Sequence, residues 1–107
     1  MQKDVKFSED ARILTASLSG EIDHHAAKSQ REKIDAMLFK ARPEILVLDF
    51  SEVRFMDSSG IGLIIGRAEI CSEIDCKIQL SGLSETLKKI IRLSGIEKIK
   101  GLTVISK

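Results

Sequence analysis

The chain has 107 residues, of which 43% are hydrophobic and 31% charged, and its 17 basic and 16 acidic residues leave a net charge of +1. That is the length of one domain, residues 1–107, with a real but thin core and the composition of an ordinary globular protein. The charge balance lacks the basic excess of a nucleic-acid binder and the polybasic cluster of a membrane-surface protein, so neither nucleic acid nor membrane is an expected partner.

The opening Met1-Gln2-Lys3-Asp4-Val5 carries no apolar core of the signal-peptide kind. The longest apolar runs, such as Ile45-Leu46-Val47-Leu48, fall far short of the roughly 20 residues that span a bilayer as a helix. A cytoplasmic location is expected. Cys71 and Cys76 match no zinc or redox spacing and read as reduced structural thiols.

The elements follow from periodicity and punctuation. Val5 to Phe7 suits a short strand, and Ser8-Glu9-Asp10 supplies turn residues for a hairpin. Ala11 to Ser19 alternates, with Ile13, Thr15 and Ser17 on one side and Leu14, Ala16 and Leu18 on the other, which predicts a second strand. Gly20 and Asp23 punctuate. Asp23 is a good N-cap for a helix from about His24 to Lys40. Its apolar stripe holds Ala27, Ile34, Leu38 and Ala41 with Met37 alongside, leaving Lys28, Arg31, Glu32 and Asp35 on wetter faces.

Pro43 closes that helix region. The near-continuous apolar run from Glu44 to Phe50 predicts a strand buried on both faces, with helices above and below it. Asp57-Ser58 form a capping pair for a helix from about Ser59 to Ile74, with Ile61, Ile64, Ile65, Ala68 and Cys71 toward the core. Lys77 to Leu80 predicts another strand. Ser84 caps a third helix with Leu87, Ile90 and Ile91 inward, and Lys88, Lys89 and Arg92 toward the end where the macrodipole favours cations. Gly95 is its expected stop, and Leu102 to Ile105 makes a last short strand.

The predicted fold class is α/β: one mixed, mostly parallel sheet with an N-terminal hairpin and packed helices. Parallel strands bring their C-terminal ends to one edge. The loops after the second and third strands, carrying Asp23 and Asp57-Ser58, then lie side by side where ligands and partners often dock.

The most informative segment is Phe55-Met56-Asp57-Ser58-Ser59-Gly60-Ile61-Gly62. One reading is plain helix capping with small residues for close packing. The other is a regulated serine. A hydroxyl at an exposed helix start is within reach of a kinase, and a phosphate would add about −1.5 to −2 charges at pH 7. At a helix N-terminus that anion meets free N–H groups and the positive end of the dipole. Such a switch alters docking and leaves the helix folded. Gly62 and Gly66 share a helix face that fits either sheet packing or a partner contact. Leu63 and Arg67 form a separate stripe, with Leu63 a candidate contact beside the serine.

Catalysis finds little support. His24 and His25 are adjacent, so on a helix they diverge and form no paired metal site. Asp23, His24 and Ser58 lack the G-x-S-x-G setting of a hydrolase triad. Gly60-x-Gly62-x-x-x-Gly66 misses the dinucleotide fingerprint, and there is no P-loop. No cofactor or metal is expected, nor an enzymatic activity.

Three blocks carry a resemblance. Gly20-Glu21-Ile22-Asp23-His24-His25-Ala26-Ala27, the Phe55 to Gly62 segment, and Leu93-Ser94-Gly95-Ile96 resemble the STAS-domain anti-sigma factor antagonists. The similarity is greatest to the stage II sporulation kind that controls sigma factor F, and it runs from about Val5 to Ile105. It implies the STAS fold and a partner switch without catalysis. In such a switch an anti-sigma factor that is also a serine kinase holds the sigma factor. The unphosphorylated antagonist binds that kinase with its ADP or ATP and frees the sigma factor; the kinase then phosphorylates the antagonist, and a PP2C-type phosphatase restores it. The position that matches the phosphorylated serine is Ser58. Asp23 matches a position on the family's binding surface near that serine, and Asp57, Ser59, Gly60, Gly62 and Leu63 are expected to join them in binding the partner. The family also implies a final helix, for which the sequence leaves only Ser106 and Lys107 after the last expected strand. Two other roles compete: a STAS scaffold or transporter-associated subunit, and a small nucleotide-binding hydrolase using Ser58.

Overall fold

The structure, a computed structural model, describes residues 5–105. Strands β1 (Val5–Asp10) and β2 (Ile13–Ile22) are followed by helix α1 (His24–Ala41), strand β3 (Ile45–Met56) and helix α2 (Ser58–Glu73). Strand β4 (Lys77–Ser81), helix α3 (Glu85–Ser94), a 3₁₀ turn (Ile96–Lys98) and strand β5 (Leu102–Val104) complete it. The sheet order is β1-β2-β3-β4-β5, antiparallel only between β1 and β2.

The hairpin turns later than Ser8-Glu9-Asp10 suggested. Those residues continue β1, pairing down to Asp10 opposite Ile13. The turn is Ala11-Arg12, both left-handed with φ of 51° and 67°. Glycine or asparagine usually marks such a two-residue turn, and neither is present. Arg12 holds the turn instead. Its Nη2 donates to the Arg42 carbonyl at 2.9 Å, and its own carbonyl accepts the Glu44 N–H at 2.8 Å.

The expectation that β3 is covered on both faces is corrected. Each parallel crossover steps to the next strand in the same direction, and right-handed crossovers then put α1, α2 and α3 on one side. Burial agrees. Leu14, Ala16, Leu18, Leu46, Leu48, Phe50, Ile78, Leu80 and Leu102 are buried on the helix-covered face. The alternate residues Thr15, Ser17, Ile45, Val47, Asp49 and Gln79 are only half-buried.

Helix α2 is also rotated from its expected facing. Gly60, Leu63, Ile64, Arg67, Ala68 and Cys71 are buried, while Ile61 and Ile65 are half-buried. The reason is that α2 packs on α1 as well as on the sheet, so its buried arc is wider than one stripe. Arg67, 4% exposed, reaches Asp35 of α1 with Nε 2.7 Å from the carboxylate, and its Nη1 donates to the Leu63 carbonyl at 3.3 Å. Asp35 therefore faces α2 and not a wet surface. In α1 the buried stripe is Ala27, Gln30, Ile34 and Leu38; Met37 and Ala41 are half-buried at its border, as is Ile90 in α3.

Candidate functional site

The parallel register sets Ile22 opposite Met56 at the C-terminal ends of β2 and β3. The next residue in each case is an aspartate. Asp23 caps α1, its Oδ1 accepting the Ala26 N–H at 2.9 Å. Asp57 caps α2, its Oδ1 accepting the Ser59 N–H at 2.8 Å. Short polar side chains in extended backbone satisfy helix-start donors in this way. The Asp57 N–H donates to the Ile22 carbonyl at 3.4 Å, which ties the two caps together.

Ser58 is the first residue of α2 and is exposed; Ser59 is half-buried. Asp23, Asp57, Ser58 and Ser59 therefore share one edge of the sheet, at two adjoining helix N-termini. Asp23 is exposed, and the Ala26 N–H holds its carboxyl below the usual carboxylate range, a lowering assisted by nearby His25. The cap therefore stays anionic to lower pH than an ordinary aspartate.

The glycines divide. Gly60 is buried, and a Cβ there would run into the Cγ and Sδ of Met56, so it serves the approach of α2 to the end of β3. Gly62 is exposed, and a Cβ on it or on Gly66 would meet nothing within 4 Å. Neither is a point of sheet packing. Leu63 is 3% exposed and turned into the core. Its expected place on the surface beside Ser58 is corrected, because the face it shares with Arg67 is the one that packs on α1.

Two features escaped the sequence reading. Phe55 is 53% exposed, opposite Glu21 in the register and three residues before Ser58. Lys28 and Arg31 join His24 in lining a groove of about 260 Å³ between α1 and α2, whose other wall includes Ser59 and Gly62. Positions 24, 28 and 31 make one helical stripe, a signal present in the sequence once a partner helix is known. Among the described residues no cluster of His, Cys, Asp or Glu could hold a metal ion, and no helix is long and apolar enough to cross a membrane. His24 and His25 are exposed with ring centroids 6.1 Å apart.

The STAS domain family matches residues 2–105 of this chain. An anti-sigma F factor antagonist from Lysinibacillus sphaericus is 35% identical over 79 residues, covering 74% of this chain and 68% of that protein. The solved anti-sigma factor antagonist SpoIIAA in its unphosphorylated form is similar with a TM-score of 0.74 at 27% identity, covering 96% of this chain and 88% of that one. The Bacillus cell fate determinant SpoIIAA in its phosphorylated form gives 0.72 at 28% identity, with 96% and 92% covered.

Proposed function

The chain belongs to the STAS family, and we propose that it is an anti-sigma factor antagonist whose binding is switched by phosphorylation of Ser58. Unphosphorylated, it docks on an anti-sigma factor that is also a serine kinase, with ADP or ATP bound, and the sigma factor is released. Phosphate on Ser58 ends that docking, and a PP2C-type phosphatase reverses it. The domain acts by binding and has no catalysis of its own.

The observation that carries this reading is the exposed Ser58 hydroxyl at the start of α2, flanked by two aspartate caps. The site offers a kinase an accessible acceptor and offers a phosphate the N-terminal dipole of α2. The docking surface comprises Asp23, Asp57, Ser58, Ser59 and Gly62, with exposed Phe55 as an apolar anchor of the sort interfaces concentrate. The antagonist names of the relatives and the likeness to both forms of SpoIIAA support the same role. An action in the cytoplasm fits such partners.

The test is direct. The protein is incubated with an anti-sigma factor kinase and ATP, and phosphate is mapped by mass spectrometry. Label on Ser58, absent from Ser58→Ala, is the expected outcome; label retained by Ser58→Ala overturns the assignment. Failure of the protein to bind any such kinase in a titration overturns the antagonist role itself and leaves the scaffold or transporter-associated reading.

A further inference from the structure

Helix α2 ends about 24 Å from its start, given 1.5 Å per residue over its 16 residues, and its closure differs from that of the other helices. The Cys76 N–H donates to the Cys71 carbonyl at 2.8 Å, the Ile74 N–H lies 3.2 Å from the carbonyls of Ile70 and Cys71, and Asp75 is left-handed with φ of 59°. A bond from the sixth residue back to the first, with a left-handed residue just before the sixth, is the Schellman arrangement. It brings the side chains of those first and sixth residues together, usually as a hydrophobic contact. Here both are cysteines. Their spacing of five matches no recognised motif, yet across a helix cap it places two thiols side by side.

The pair is free and almost wholly enclosed, with Cys71 1% and Cys76 6% exposed. The Cys76 S–H donates to the Lys77 carbonyl at 3.3 Å, and the interaction between the two thiols pushes the Cys71 pKa up, burial adding to the rise, and draws that of Cys76 down. A cavity of about 300 Å³ adjoins both sulfur-bearing residues, with Asp75, Lys77 and Lys100 also on its wall. It gives a small reactant an approach that the residues' own exposure does not suggest, and the two ammonium groups favour an anionic one.

We propose that Cys71 and Cys76 form a modification site, a dithiol that a low-molecular-weight disulfide such as oxidised glutathione converts to an intramolecular disulfide within the native fold. The Cys76 thiolate attacks one sulfur of oxidised glutathione. A Cys76–glutathione bond forms, and the first glutathione leaves as thiolate and takes up a proton. Cys71 then loses its proton and attacks the Cys76 sulfur. The Cys71–Cys76 bond forms, and the second glutathione leaves and is protonated. Two protein thiols are oxidised and one disulfide is reduced to two thiols. The 2.8 Å bond from the Cys76 N–H to the Cys71 carbonyl ties the two backbones together across the cap, so the second attack is expected to proceed without unfolding.

The experiment equilibrates the full chain with reduced and oxidised glutathione mixtures, quenches with acid, and counts species by intact mass. The disulfide is lighter than the dithiol by about 2 Da. If the fold preorganises the pair, the equilibrium constant for disulfide formation is at least about tenfold larger in buffer than in denaturing urea, equivalent to about 30 mV. The circular dichroism spectrum is unchanged on oxidation. Cys71→Ser stops at a single glutathione adduct on Cys76, and Cys76→Ser, which lacks the attacking thiol, forms no internal disulfide. The native-to-urea comparison uses the unmodified chain, so it stands even if a serine variant does not fold. A native constant equal to or below the urea value overturns the proposal. So does cross-linking between molecules in place of the internal bond, or oxidation accompanied by loss of the folded spectrum.

Discussion

Asp23 and Asp57 hold equivalent places in neighbouring units of the fold: each follows the last residue of a parallel strand, each caps the next helix, and the Asp57 N–H reaches the Ile22 carbonyl beside Asp23. The side-by-side caps make a stability prediction. Asp57→Ala removes the acceptor for the Ser59 N–H and should lower stability by about 1 kcal/mol. Asp57→Asn or Asp57→Ser should recover most of it. Urea titration with an unchanged m-value is the measurement; a full loss in Asp57→Ser as well would mean that Asp57 acts by charge and not by capping.

Gly60 and Gly62 should respond in opposite directions to alanine. At Gly60 a Cβ collides with Met56, itself 1% exposed, and overpacking of this kind costs about 1–3 kcal/mol before a helix-propensity gain of about 1 kcal/mol is returned. At Gly62 the space is open, so Gly62→Ala should stabilise by about 0.4–1 kcal/mol. A bulky Gly62→Arg should keep the fold and impede docking beside Ser58. Thermal melts read the first pair of effects, and a kinase-binding titration reads the last.

How much of this was legible follows from particular residues. The helix starts were, because Asp23, Asp57 and Ser84 are local signals whose hydrogen bonds lie within three residues of themselves. The edge shared by Asp23 and Ser58 was also legible, since parallel strands force it. The turn at Ala11-Arg12 was not: its left-handed residues have none of the usual identities, and its support comes from Arg42 and Glu44, some thirty residues away. Leu63 and Arg67 were misplaced for a related reason. Periodicity locates an apolar stripe but does not reveal that a second helix covers the flank, nor that a buried arginine has a carboxylate waiting on it.

That buried pair carries its own prediction. Burial pushes the Asp35 carboxyl above the usual carboxylate range and holds the Arg67 guanidinium below its ordinary value, so desolvation outweighs the mutual attraction. Asp35→Ala strands Arg67 and should cost about 2 kcal/mol, less than the roughly 3–5 kcal/mol of a fully buried pair, because the Asp35 side chain is still 27% exposed. Replacing both, as Asp35→Leu with Arg67→Met, should recover most or all of that loss. The pH dependence has a definite sign. A carboxyl whose folded pKa is raised binds its proton more tightly in the native state. Its contribution is greatest below the unfolded pKa of about 3.9 and falls as pH rises through the folded pKa. Asp35→Asn should flatten that part of the stability profile, measured by denaturant titration between pH 3 and 6; an unchanged profile would assign the slope to other carboxylates.

Phosphorylation of Ser58 should act at the interface and leave the domain's own structure intact. The serine is the first residue of α2 and is exposed, where free N–H groups and the dipole accept an anion. Across an interface the same anion meets whatever negative charge the partner brings, such as a nucleotide phosphate. Two unit charges about 4 Å apart at an effective dielectric near 20 repel by roughly 4 kcal/mol, and each 1.4 kcal/mol is about a tenfold change in affinity. A screened third of that repulsion already weakens a complex about tenfold. Ser58→Asp should therefore reduce affinity for the ADP-bound kinase well beyond Ser58→Ala, and less than phosphate does, because aspartate carries less charge and fewer oxygens. Asp23→Ala and Phe55→Ala should weaken binding without changing where phosphate is added. Both Ser58 variants should melt within a few degrees of the parent chain, and chemical-shift changes on phosphorylation should stay within Asp57 to Gly62 and the Asp23 loop. Shifts spread through the sheet, or a large drop in melting temperature, would mean that the switch works by refolding the domain and that charge at Ser58 is not its cause.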